Sequence, residues 1–165
     1  MKILGVDTGQ TGALSVVNME VGHAPKLEAV LRMPIQLLGA KKIVHALEVI
    51  KWLEEHPVDI AIVELVHAMP KQGVSSTFQF GRSAGAIEAL VWSHVGRIDW
   101  ITPQVWKKEH KLIGLPKSAA CDATERVFGW RPKLKKDEAQ AEAALIALAW
   151  GRINGTMTPT PEEEA

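Results

Sequence analysis

Five acidic residues, in three separate parts of the chain, stand where carboxylates can do chemistry. Asp7 closes the run Lys2–Asp7 (KILGVD) and Glu64 closes Val58–Glu64 (VDIAIVE), while Asp137, Glu138 and Glu142 open an Ala-rich stretch that reaches Trp150. An acid that ends an apolar strand lies at the sheet edge where ligands of open α/β sheets bind. Glu138 and Glu142 are four residues apart and share one face of a helix. Carboxylates gathered out of water resist ionisation unless a cation neutralises them. Hard oxygen donors suit Mg2+ or Mn2+, and two such ions about 4 Å apart stabilise the attacking and leaving oxygens of a phosphoryl displacement. Each acid also has a plainer reading. Asp7 can steady a glycine turn, Glu64 can be paired structurally, Asp137 and Glu138 can answer a helix dipole, and Glu142 can face solvent.

Those acids need elements to position them. Lys2–Asp7 and Ala13–Asn18 read as a hairpin around the Gly-rich turn 8–12, and Lys26–Met33 reads as a third strand. Ile43, Val44, Leu47, Ile50 and Leu53 have helical spacing, which predicts an amphipathic helix over Lys41–Glu55, ended by Pro57. Val58–Glu64 is a buried strand. After a loop with Pro70 and Gly73, Ser75 or Ser76 caps a helix to about Val95, with Gly81 and Gly85 on one face. Arg97–Thr102 is a short strand, and Pro103 opens a helix at its favoured first position. Lys117–Val127 and Asp137–Trp150 are further helices. Strands alternating with helices describe one α/β layered domain over residues 1–153, with 154–165 expected to be a disordered acidic tail.

Composition narrows the partners. The 165 residues carry 19 basic and 19 acidic side chains, so the net charge is zero, but its distribution is uneven. Between Pro103 and Lys136 nine lysines and arginines face only three acids, and the compensating acid lies in Glu162–Glu164 and between Glu48 and Asp59. A basic segment offset elsewhere is compatible with a DNA-binding face, and equally with a solvated surface. The lone Cys121 cannot form an internal disulfide and reads as a small buried residue. No apolar run is long enough to span a bilayer, and the start Met1-Lys2 leads into a strand rather than a signal peptide, so the expected compartment is the cytoplasm.

Four segments carry a closer resemblance: GVDTGQTGA at Gly5–Ala13, VELVHAMPKQGVSSTF at Val63–Phe78, FGRS at Phe80–Ser83, and KKD with AALIA at Lys135–Ala147. In order and spacing this set resembles the RuvC-like Holliday junction resolvases of phages and prophages, over nearly the whole folded chain. The resemblance implies an RNase H-like fold, a mixed central sheet flanked by helices. It implies a homodimer, and a Mg2+- or Mn2+-dependent crossover junction endodeoxyribonuclease acting on four-way DNA junctions in the nucleoid of a bacterial or phage-infected cell. It makes Asp7 and Glu64 metal ligands, and Asp137 with Glu142 the candidates for the C-terminal acidic pair. The usual pattern has two aspartates three apart, yet three before Glu142 stands Ala139, so either Asp137 or Glu138 completes the site. In a regular helix positions 137 and 142 are about 140° apart and do not easily share an ion, unless Asp137 precedes the first turn or a local π-bulge realigns it. The Lys-Lys-Asp run favours Asp137, expected at the helix N-cap facing Asp7. Leu65, where similar proteins carry a polar residue, is a second departure.

The same resemblance makes Lys107 or Lys108, and Lys117, basic residues near the scissile phosphate, with Lys117 in a catalytic role. The loop beside Glu64 supplies DNA contacts from His67, Lys71 and Phe78, with Met69 and Phe78 available to stack on bases. Core packing of Phe78 and Phe80 is the plainer alternative. The small residues Gly81, Ser83, Ala84 and Gly85 suit a helix packed across a two-fold axis, or ordinary packing within the chain. Other readings are a nuclease for forks, flaps or RNA–DNA hybrids, and a non-catalytic DNA-binding relative. DTGQTG also resembles the phosphate loop of actin-like ATPases, but 165 residues leave no room for the second half such proteins need.

Overall fold

A computed structural model describes residues 1–68 and 73–155. The strands β1 (Lys2–Asp7) and β2 (Ala13–Asn18) form the expected hairpin, with Asp7 opposite Ala13 at its closed end. Strand β3 (Lys26–Arg32) adds antiparallel to β2. Two short strands, β4 (Ile35–Leu38) and β5 (Lys41–Val44), make a separate ribbon. Then β6 (Ile60–Glu64) inserts parallel to β1, and β7 (Ile98–Ile101) parallel to β6, giving the order β3-β2-β1-β6-β7. Strands β1 and β6 are central and apolar on both faces, so both faces must be covered.

Helices cover them. Helices α1 (Ala46–Glu55) and α2 (Val74–His94) pack Val49, Leu53, Ile87 and Val91 against Leu4, Val6, Ala61 and Val63. The opposite face, with Ile3, Ile60 and Ile62, meets α3 (Pro103–Glu109), α4 (Ser118–Phe128) and α5 (Glu138–Ile153). Consecutive strand residues alternate between the two cores, the period of two that a pleated strand imposes. Helix α5 is buried between the sheet and α4 and is apolar almost all round, as a helix without a solvent face must be.

Three local expectations are corrected. Lys41–Glu55 is not one helix, because Lys41–Val44 pairs with Ile35–Leu38 through a turn at Gly39, where φ is +61°. Ile43 and Val44 are β-branched and fit the ribbon, and His45 then caps α1 by accepting the Glu48 amide at 3.3 Å. Leu47, placed on the predicted apolar face, is 73% exposed, and Val49 and Leu53 are the buried pair. Neither Ser75 nor Ser76 caps α2, which starts after Gly73 with no side-chain cap. Phe78, whose plainer reading was core, is 64% exposed.

The last helix reaches Ile153 and is preceded by a 3-10 turn over Lys135–Asp137, so Asp137 occupies the N-cap position. Residues 156–165, most of the expected acidic tail, lie outside the described residues, as do Met69 and Lys71. Among the described residues no helix is long and apolar enough to cross a membrane.

Candidate active site

Strands β1 and β6 run parallel with Val6 beside Val63, so Asp7 and Glu64 follow at neighbouring C-terminal ends. The chain must then turn sharply away from Asp7. Gly9 has φ +110°, and a Cβ on Gly12 would lie 2.0 Å from the Asp7 carbonyl oxygen, so the turn admits no side chain there. Helix α5 lies directly on β1 at Gly5, and Ser15 of β2 pins it by donating its hydroxyl to the Gln140 carbonyl at 2.8 Å. That close approach brings Glu142, 6% exposed in an otherwise apolar stretch, to the acid-bearing end of the sheet.

The three acids feel one another. Burial, then the charges of Glu64 and Glu142, hold the Asp7 carboxyl well above the usual carboxylate range, against the pull of Lys117 and Lys107. Burial also raises Glu64, with Glu142 adding to it; a hydrogen bond from Trp106 and the charges of Lys107 and Lys117 oppose the rise. Burial pulls the Lys117 ammonium down, but Glu142, Asp7 and Glu64 outweigh it, and its pKa is raised. Lys117 Nζ reaches Glu142 Oε2 at 3.4 Å, though the lysine side chain is 72% exposed, so the pair stabilises the fold by about 1 kcal/mol at most. Its value is positional.

The remaining predicted residues are distributed as follows. Asp137 is at the N-cap of α5, as expected, and its ion-pair partner is Arg32 of β3 at 3.7 Å. The carboxylates acting most on Asp7 are Glu64 and Glu142. Glu138 lines a cleft of about 630 Å³ with Lys117, Cys121, Arg131, Lys133 and Lys135. Of the α3 lysines, Lys107 is the one whose charge reaches Asp7 and Glu64, while Lys108 is exposed. His67 is exposed just beyond β6, and Phe78 projects from the first turns of α2. Within the basic segment Arg131 is bound by Asp122 and Glu125, which removes part of its excess charge. Ser83 and Ala84 are buried in the core, and only Gly81 and Gly85 of the predicted small-residue set face outward.

Sequence reasoning missed Trp106 and Arg32. Trp106 is 1% exposed, and its indole N–H donates to Glu64 Oε1 at 2.8 Å. A tryptophan next to Lys107-Lys108 was the available signal, since a buried indole needs an acceptor for its N–H.

Among the described residues no group of three His, Cys, Asp or Glu side chains is spaced to hold a metal ion. The acids share an electrostatic field rather than a ready coordination sphere. The donor chemistry nonetheless fits a hard divalent cation, which is what mutually destabilised carboxylates lack. Thr8 Oγ1, beside Asp7, is buried without a hydrogen-bond partner among the described residues and offers one more oxygen.

A mixed sheet of this order, acids at the ends of its two central strands and a third acid on the helix across them, is an RNase H-like fold. Solved structures of that fold align over nearly the whole chain. RuvC of T. thermophilus, in complex with a Holliday junction substrate, aligns with TM-score 0.66 over 97% of this chain and 100% of its own, at 18% identity. The fowlpox virus Holliday junction resolvase gives TM-score 0.56 at 16% identity, over 93% and 99% of the two chains. The yeast mitochondrial Holliday junction resolvase Ydc2 gives 0.57 at 12% identity, over 93% and 79%. At such identities the likeness is one of fold. No family model matches the chain, and no curated protein matches it in sequence.

Proposed function

We propose that the protein is a metal-dependent endonuclease that resolves four-way DNA junctions by phosphodiester hydrolysis, acting as a homodimer in the cytoplasm. The observation that carries this reading is the convergence of Asp7, Glu64 and Glu142, from β1, β6 and α5, beside Lys107 and Lys117. The likeness of the fold to RuvC bound to a Holliday junction supports the choice of substrate.

Asp7, Glu64 and Glu142 would hold Mg2+ or Mn2+, with Asp137 rather than Glu138 as the further acid. When bound, such ions supply Lewis-acid activation of water and of the scissile phosphate. The chain's own groups orient the substrate. Lys117, raised and kept charged by the acids around it, offers a cation to the phosphate and to the charge that develops on it. Lys107 adds a second cation from α3. Phe78 and His67, both exposed beyond β6, would contact bases at the branch point. Two-fold symmetry would come from the exposed residues Val74, Gly81, Gly85 and Trp92 of α2, because a junction cut on both strands asks for two symmetric sites.

A nuclease for other branched DNA or for RNA–DNA hybrids, and a non-catalytic branched-DNA binder, share most of these features. The separating experiment is a gel assay with a mobile four-way junction, a fork and an RNA–DNA hybrid, each with Mg2+ or Mn2+. Symmetric cutting of the junction is expected. Preferential cutting of the fork or hybrid would replace the substrate, and binding without cutting would replace the activity.

A further inference from the structure

Glu64 does not hang freely in the acid cluster. One of its two oxygens is taken by Trp106, 42 positions along the chain, at 2.8 Å. The indole is fixed in turn: its ring is buried in the core beneath α5, and the Nζ of Lys107 lies 5.2 Å from its centroid. A cation over the ring face draws electron density from it and improves the N–H as a donor. Helix α3 therefore presents a buried N–H and, one residue later, a charge that acts on the same acids.

The molecule contains a comparison. Trp150 also donates its N–H to a carboxylate, Asp99 Oδ2, at 2.8 Å, but Asp99 is an exposed residue of β7. There the bond satisfies a tryptophan. At Trp106 the acceptor is an acid at the end of a central strand, itself coupled to Glu142.

We infer that Trp106 is a positioning residue for metal binding, whose N–H occupies Glu64 Oε1 and fixes the carboxylate so that Oε2 is the oxygen offered to a cation. This rests on the reading of Asp7, Glu64 and Glu142 as the metal cluster. A glutamate with free torsions loses rotamer freedom when it ligates, whereas one already tethered does not. Partners of this kind change metal affinity by about tenfold to a hundredfold when removed.

The test is isothermal titration of the full-length chain with Mn2+, with melting temperature recorded for each variant. Trp106→Phe removes the N–H and keeps an aromatic ring. Because phenyl is smaller, 3-benzothienylalanine at position 106 is the second variant; it replaces the N–H by sulfur at nearly constant volume. Both are expected to weaken Mn2+ binding about tenfold or more, Trp150→Phe to leave it unchanged, and Trp106→Phe to add nothing to the loss in Glu64→Gln. Wild-type Mn2+ affinity in both Trp106 variants, with Glu64→Gln weakened, overturns the inference and leaves the metal cluster standing. An equal loss in Trp150→Phe also overturns it, as a general effect of core tryptophans. Undiminished Mn2+ binding in Glu64→Gln sinks the cluster and the inference together.

Discussion

Gly5 and Ala143 touch so closely that a Cβ on Gly5 would stand 1.8 Å from the Ala143 carbonyl oxygen. This contact sets how near α5 comes to β1, and Glu142 is the residue immediately before Ala143. Gly5→Ala must push α5 away from the sheet. A loss of about 3 kcal/mol or more is expected, the upper end for overpacking a core, together with loss of cutting. Urea denaturation checks it, and an unchanged midpoint would mean that α5 has slack the contact denies.

Asp7→Asn is expected to lower cutting at least about a hundredfold while junction binding survives. It should also change how stability depends on pH. The folded Asp7 carboxyl lies above its unfolded value, so the native state holds a proton that the unfolded chain has released. Metal-free stability contributed by this group is therefore present below about pH 4 and declines as pH rises towards the folded pKa. With EDTA, melting should fall as pH rises above about 4 more steeply in wild type than in Asp7→Asn. Parallel curves would remove Asp7 from the strained cluster.

Asp137 and Glu138 separate by single substitution. Asp137→Asn is expected to impair Mn2+-dependent junction cutting, and Glu138→Gln, whose acid lines the cleft with Cys121, to leave most of it. The reverse pattern would assign Glu138 to the metal and Asp137 to its ion pair with Arg32 alone.

Lys117→Ala and Lys107→Ala should each reduce the salt slope of junction binding by about one unit per lost phosphate contact. Lys108→Ala should change it less, since Lys107 is the α3 lysine that reaches the acids. Wild-type slopes for Lys117 and Lys107 would make them ordinary surface lysines.

Gly85 is exposed on α2, and a Cβ there meets nothing within 4 Å. Gly85→Glu should therefore preserve the monomer fold, with a gain of up to about 1 kcal/mol from helix propensity, while halving the mass seen by light scattering. A dimer that persists in this variant would place the two-fold contact elsewhere.

The four resembling segments carried the fold class, and what the residues determined beyond that was local. Asp7 and Glu64 were legible because each follows a short apolar run, and a strand's end is where its pattern stops. Pro103 marked the start of α3 for a reason confined to one residue, its missing N–H. At Lys41–Val44 four residues of a ribbon and one turn of helix leave the same apolar pattern, and pairing with Ile35–Leu38 decides between them. Tertiary structure alone decided the rest. Trp106 and Glu64 are 42 positions apart, and Gly5 and Ala143 meet only because α5 folds back across the sheet. No periodicity encodes such meetings; they follow from burying α5 on both sides, which sets an otherwise misplaced Glu142 beside two strand-end acids.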